Sequence, residues 1–171
     1  MIQRVRFEQW LPVPLDRVFG FFSDPRNLPG LMPPELAAEI RSIERPPAPP
    51  GAEGDASAVP AGVGTEIVLS VRLLPPLPIR TPWVARIVEL DPGRQFTDVQ
   101  VKGPFRHWRH RHAFASAPRD GSDGTLVVDD LEYDVGFGWL GDAVARWFVA
   151  GRLRDTFEAR QRRLEHQLLR P

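Results

Sequence analysis

Between residues 65 and 135, five runs of alternating residue type are separated by turn-forming clusters, and this pattern constrains the fold more than any other. The runs are Thr65 to Leu74, Ile79 to Leu90, Arg94 to Lys102, Phe105 to Ala117 and Thr125 to Val135. Between them stand Pro75-Pro76, Asp91-Pro92-Gly93, Gly103-Pro104 and the run from Asp120 to Gly124. Proline presets φ and lacks an N–H, and glycine admits the backbone angles of tight turns, so each cluster reverses the chain. Period-two alternation with such short connections predicts an antiparallel meander. Ile67, Leu69, Val71 and Leu73 share one face of their strand, as do Trp83, Ala85 and Ile87 on the next.

The flanks supply two further strands and the helices. Ile2 to Trp10 alternates as a first strand with Val5 and Phe7 inward, and Pro12 and Pro14 end it. Pro14 suits a helix N-terminus, Val18, Phe19 and Phe22 follow at helical spacing, and the helix should stop near Ser23-Asp24-Pro25. A second short helical or turn segment, Arg26 to Met32, closes at Pro33-Pro34, and Ala37 to Glu44 alternates as a strand. Trp139 to Leu169 reads as one long amphipathic helix. Its stripe is Leu140, Val144, Trp147, Phe148, Gly151, Leu153, Phe157, Leu164 and Leu168, with arginines and glutamates opposite. This stripe is expected to cover the apolar face of the sheet. Glycine inside a helix costs about 1 kcal/mol relative to alanine, so Gly151 stands there either for close helix–sheet packing or to leave room for a ligand. Residues 45–62 lack large apolar side chains and are expected to be a long mobile hairpin loop within a single domain; a regulatory or partner-binding loop is the rival reading.

Composition removes several function classes. Basic and acidic residues number 22 each, so there is no net positive charge to drive non-specific nucleic-acid binding. There is no cysteine, hence no disulfide, thiolate metal site or cysteine nucleophile. Neither a signal peptide nor a membrane span is visible, and a cytoplasmic protein is the default expectation. No G-x-S-x-G or Walker loop is present. Gly136 to Gly141 matches G-x-G-x-x-G, but no second parallel strand with its ribose-binding acid can follow, so the glycines read as a turn into the helix. The basic-aromatic run from Lys102 to Arg111 reads as a solvated outer face rather than an RNA platform.

The chemistry gathers on the run beginning at Phe105. Alternation puts Arg106, Trp108, His110, His112 and Phe114 on one face, and His107, Arg109, Arg111 and Ala113 on the other. Buried imidazoles need partners or ligands. Pairing across the Asp120 to Gly124 turn with His112 opposite Asp129 and Trp108 opposite Tyr133 would turn Val127, Asp129, Leu131, Tyr133 and Val135 inward as well. A carboxylate beside an imidazole fixes its tautomer and raises its basicity. His110, His112 and Asp129 are therefore the candidate catalytic residues, and the same group serves equally to orient a ligand or as a satisfied structural pair. Asp98 and Gln100 point inward if the preceding hairpin has a three-residue connection and outward if it has two. The candidate ligand-binding set is Trp83, Asp98, Gln100, Trp108, His110, His112, Asp129, Tyr133, Trp147 and Gly151. His110 and His112 with Asp129 or Asp98 also have the composition of a two-histidine, one-carboxylate metal site. The aromatic surroundings suit an organic ligand better, so neither metal nor cofactor is expected.

The segments FFSDPRNLPGLMPP (21–34), FTDVQVKGPFRHWRHRHAF (96–114) and GTLVVDDLEYDV (124–135) resemble the START-like SRPBCC superfamily. The similarity is greatest to its bacterial ligand-binding, polyketide cyclase-like branch and covers nearly the whole chain. It implies an α+β helix-grip fold: a curved antiparallel sheet of about seven strands wrapped around a long C-terminal helix, with two short helices after the first strand. It also implies a hydrophobic or aromatic small molecule, lipid-like or polyketide-like, held between sheet and helix. Polyketide cyclase or dehydratase chemistry, and service as an accessory domain to an epimerase-like partner enzyme, are the alternatives it carries. The loop at 45–62 departs from the family pattern.

Overall fold

The computed structural model describes residues 1–46, 61–73, 77–139, 143 and 145–169, and in it the alternating runs form seven strands. They are β1 (Gln3–Leu11), β2 (Glu39–Glu44), β3 (Glu66–Val71), β4 (Thr81–Asp91), β5 (Gln95–Lys102), β6 (His107–Ser116) and β7 (Thr125–Asp134). The sheet order is β1-β7-β6-β5-β4-β3-β2, and every neighbouring pair is antiparallel. Strands β2 to β7 thus form a meander, and β1 closes beside β7. Register shifts interrupt β2–β3 between Ile40 and Ser42, and β4–β5 at Val84/Ala85 and Ile87/Glu89. Such bulges bend a strand and increase its twist, which helps the sheet curve around the helix.

Pro14 precedes helix α1 (Leu15–Ser23), as its fixed φ favours. The Asp24 side chain accepts from the Arg26 N–H and caps a 3₁₀ turn, Pro25–Asn27, which leads into the one-turn helix α2 (Leu28–Leu31). A π-helical turn, Ala145–Val149, precedes the long helix α3 (Ala150–Leu168). The core falls into three clusters. Leu11, Val18, Phe114, Val127 and Leu164 pack at one end of α3, and Trp108, Leu131, Tyr133, Leu153 and Phe157 pack at the other. Ile67, Leu69 and Val71 form a third, to which α3 contributes no residue. Six strand spacings of about 4.8 Å make the sheet about 29 Å wide, against about 10–12 Å for a helix with its side chains. One helix therefore cannot cover the whole inner face, and space remains over β3 to β6.

The structure corrects the expected helix in two places. Leu140 and Val144 lie outside the described residues, but Trp147 is described and is 88% exposed, and Gly151 is exposed. The row facing the sheet is Val149, Leu153, Phe157, Arg160, Leu164 and Leu168, at spacings of four and three. Trp147 and Gly151 each stand two residues, about half a turn, from a member of that row and point away. A Cβ built on Gly151 would meet nothing within 4 Å, so neither close packing nor room for a ligand explains this glycine.

Smaller corrections follow from strand ends. β3 stops at Val71, Ile79 is exposed before β4 begins, and Arg106 precedes β6 and is exposed rather than inward. Of the expected loop at 45–62, residues 47–60 lie outside the described residues; at its end, the buried Ala61 donates its N–H to the Ser23 carbonyl at 3.0 Å. The outer arginines pair across strands: Arg109 with Glu89 at 2.9 Å and Arg111 with Asp130 at 2.7 Å. Gly136, Phe137 and Gly138 all have positive φ and turn the chain out of β7. Because β7 pairs antiparallel on both sides, the G-x-G-x-x-G run lacks the parallel strand that dinucleotide binding requires. No described helix is long and apolar enough to cross a membrane.

Candidate functional site

Strand β6 buries Trp108, His110, His112 and Phe114 and leaves the residues between them half-exposed. Its register with β7 sets His112 opposite Asp129 and Trp108 opposite Tyr133. Asp129 Oδ1 lies 3.0 Å from His110 Nε2 and 2.7 Å from His112 Nδ1, so one carboxylate holds both rings. The rings are 3.8 Å apart between centroids, and Phe96 stacks on His112 at 4.3 Å. Asp98, opposite His110 on β5, brings Oδ2 to 3.4 Å from His112 Nε2 and 3.9 Å from His110 Nδ1. Arg160 reaches in from α3, with a terminal nitrogen 3.7 Å from Asp129 Oδ1 and 3.4 Å from His112 Nδ1. Its guanidinium also lies over the Phe22 and Phe157 rings, at 5.2 and 5.5 Å.

Burial opposes charge on every member, and the neighbours decide which stay charged. For Asp129, burial pushes the carboxyl up, but Arg160 and the two histidines hold it well below the usual carboxylate range. For His112, burial disfavours the imidazolium, yet its hydrogen bonds to Asp129 and Asp98 outweigh this and raise its pKa. His110 is lowered by burial and by the adjacent His112. The opposite directions have a simple cause: two imidazolium rings in contact repel, and His112 hydrogen-bonds to both carboxylates while His110 bonds to Asp129 alone, so the charge is favoured on His112.

Asp98, His110, His112 and Arg160 line one side of a cavity of about 590 Å³ between the sheet and α3. Its apolar wall comes from α1 and α2 (Phe22, Leu31), β3 (Ile67, Leu69), β4 (Trp83) and α3 (Phe157), among others. Of the residues singled out from sequence, Trp83, Asp98, Trp108, His110 and His112 line it. Asp129 lies behind the two rings rather than on the wall. Tyr133 is buried in the cluster with Trp108 and Phe105, also off the wall. Gln100 is turned aside: its Nε2 donates to the Phe105 carbonyl at 2.6 Å and its Oε1 accepts from the Phe105 N–H, closing the β5–β6 hairpin. Trp147 and Gly151 face solvent. The sequence reading missed Arg160, because it assigned the arginines of the helix to the outer side. Its position was visible nonetheless, three residues after Phe157 and four before Leu164, in phase with the apolar row.

Comparison with solved structures identifies the same architecture elsewhere. Zhui aromatase/cyclase from Streptomyces sp. R1128 is 15% identical with a TM-score of 0.68, over 98% of this chain and 94% of that one. TTHA0849 from Thermus thermophilus is 22% identical with a TM-score of 0.63, over 98% and 97% of the two chains. Truncated norcoclaurine synthase from Thalictrum flavum is 16% identical with a TM-score of 0.63, over 100% and 96%. At these identities the likeness is one of fold, the helix-grip α+β fold. No curated protein sequence matches the chain. Residues 11–162 match the family described as polyketide cyclase / dehydrase and lipid transport, and the chain belongs to that family, within the START-like SRPBCC superfamily.

Proposed function

We propose that the protein binds a hydrophobic or aromatic small molecule of lipid-like or polyketide-like shape in the cavity between the sheet and α3. The observation that carries this reading is the make-up of the cavity wall: aromatic and aliphatic side chains around most of it and a cluster of Asp98, His110, His112 and Arg160 inside, while Glu35, Arg152 and Asp155, which also line it, are exposed. A volume of about 590 Å³ falls within the range of small-molecule sites. Arg160 Nε is buried and has no hydrogen-bond partner among the described residues. The Arg160 side chain lines the cavity, so a ligand with a carbonyl, phenol or carboxylate oxygen at that end gains a charge-assisted hydrogen bond from its guanidinium. The apolar body then lies against Trp83, Trp108 and Phe157.

The test has two arms. Native mass spectrometry of the full chain purified from its own host identifies a bound small molecule by mass. Fluorescence titration with a bicyclic phenol uses Trp83 and Trp108, whose rings meet edge to face at 4.9 Å. Binding should change the emission of the parent protein and leave a Trp83→Phe/Trp108→Phe variant silent. Leu69→Trp should fill the cavity and abolish binding. An unchanged response in both variants would sink the proposal.

One feature favours a second reading, cyclase or dehydratase catalysis. Asp129 occupies one nitrogen of each histidine and leaves the other on the cavity side, the arrangement of an oriented general base. On an identified substrate, His112→Ala and Asp129→Ala should lower kcat by about 10²- to 10⁴-fold. Full turnover in both would exclude it.

A further inference from the structure

We infer that Asp98, His110 and His112 form a binding site for one divalent transition-metal ion on the cavity wall, with Asp129 orienting both rings from behind. The inference starts from hydrogen-bond accounting. An ionised carboxylate only accepts, so each ring that bonds to Asp129 Oδ1 presents an N–H there: Nε2 of His110 at 3.0 Å and Nδ1 of His112 at 2.7 Å. The remaining nitrogen of each ring offers a lone pair once that ring is neutral, which for His112 means giving up the proton it shares with Asp98. These are Nδ1 of His110 and Nε2 of His112, and both face Asp98 Oδ2, at 3.9 and 3.4 Å. Asp98 is itself an acceptor, so three electron-rich atoms converge within 4.8 Å of one another. A metal ion that takes the place of the His112 proton would bind all three.

The spacing approaches that of coordination. Metal–ligand bonds of about 2.0–2.2 Å in a tetrahedron place neighbouring ligand atoms about 3.4 Å apart. The Asp98–His112 separation is 3.4 Å, the Asp98–His110 separation is 3.9 Å, and all three ligand atoms lie within 4.8 Å of one another, so coordination requires the rings to draw together. Two imidazoles and one carboxylate suit zinc, iron(II) or cobalt(II) rather than calcium or magnesium. A carboxylate hydrogen-bonded to the far nitrogen of a metal-binding histidine fixes its tautomer and ring angle, and Asp129 does this for both rings. Arg160 approaches His112 from the Nδ1 edge, opposite the nitrogen that would bind the ion. All three ligands line the cavity, so the open coordination positions face it and would accept water or an oxygen donor of the ligand. The sequence-based expectation of no metal rested on the aromatic surroundings and counted Asp129 as an alternative ligand; the structure puts Asp129 behind both rings instead. This inference does not depend on the ligand-binding proposal.

The test uses the untagged full chain, stripped with a chelator, dialysed and titrated with Zn²⁺ against a chromophoric competitor and with Co²⁺ under visible spectroscopy. One ion per chain should bind, with Co²⁺ developing d–d bands. Asp129→Asn should retain the site and lose roughly 10- to 100-fold in affinity. Asp98→Asn and His112→Ala should lose more than that. Of the four histidines in the chain, His107 and His166 lie elsewhere, and the His107→Ala/His166→Ala variant should bind as the parent does. If His112→Ala does not fold by circular dichroism, the near-isosteric Asp98→Asn decides. Failure to bind one equivalent overturns the inference, as does parental affinity in Asp98→Asn or loss of binding in the His107/His166 variant. A proton shared between His112 and Asp98 would then fill the gap. The phenol titration repeated on metal-free protein separates the two proposals, since binding there supports the cavity even if the metal site fails.

Discussion

Replacing Arg160 with methionine tests the electrostatic design of the site directly. Arg160 and Asp129 are 3.7 Å apart, with side chains only 8% and 6% exposed. At an effective dielectric of about 20, opposite charges at that distance attract by about 4–5 kcal/mol. Methionine returns the cost of desolvating the guanidinium and keeps an apolar stem against Phe22 and Phe157, while Asp129 retains its two histidine partners. We therefore expect a net loss of about 2–3 kcal/mol, below the about 3–5 kcal/mol typical when one partner of a buried ion pair is removed. Urea unfolding near neutral pH, followed by tryptophan fluorescence and far-ultraviolet circular dichroism, measures it. A double-mutant cycle with Asp129→Asn isolates the pair, and Arg160→Met should cost less than half as much once that carboxylate is gone. A coupling energy under about 0.5 kcal/mol, or an Arg160→Met protein more stable than the parent, would refute the claim that Arg160 stabilises the Asp129 charge.

Two further substitutions probe the frame around the cavity. Gly151→Ala should stabilise the protein by about 0.5–1 kcal/mol in thermal melts, because its helix position is open to solvent, and phenol affinity should not change. Reduced binding would place Gly151 in the site after all. Asp24→Asn should cost up to about 1 kcal/mol near neutral pH through the lost ion pair with Arg26, since asparagine caps Pro25–Asn27 about as well. Hydrogen bonding to Arg26 holds the Asp24 carboxyl below its ordinary value. With a depressed folded-state pKa, its contribution is present above the unfolded value of about 3.9 and is lost as pH falls through the folded one. Parent and variant should therefore converge in urea unfolding at acid pH; a constant gap would rule out the ion pair as the cause.

Local periodicity carried more of this protein than global packing did. The turn clusters and alternation defined seven strands, and the β6–β7 register preferred for turning the Val127 to Val135 row inward, with His112 opposite Asp129, is the one the structure has. These are readable because side-chain direction in a strand depends only on parity, and a short turn transmits parity from one strand to the next. Asp98 and Gln100 show the limit of that rule. The sequence left their side open, since it depends on the hairpin length; in the structure Gln100 spends its side chain on Phe105 and only Asp98 reaches the cavity.

What the tertiary structure alone decided is the composition of the buried network and the shape of the space beside it. The helical phase of Arg160 was present in the sequence, but its charge argued for solvent; only Asp129, contributed by a strand 31 positions earlier, makes an arginine stable inside the row. Trp147 carried the opposite signal, an apolar residue expected inward and turned out to solvent by its place half a turn from Val149. The cavity has no local signature at all. It exists because one helix is narrower than the seven-strand sheet it packs on, and that mismatch is a property of the assembled layers rather than of any segment.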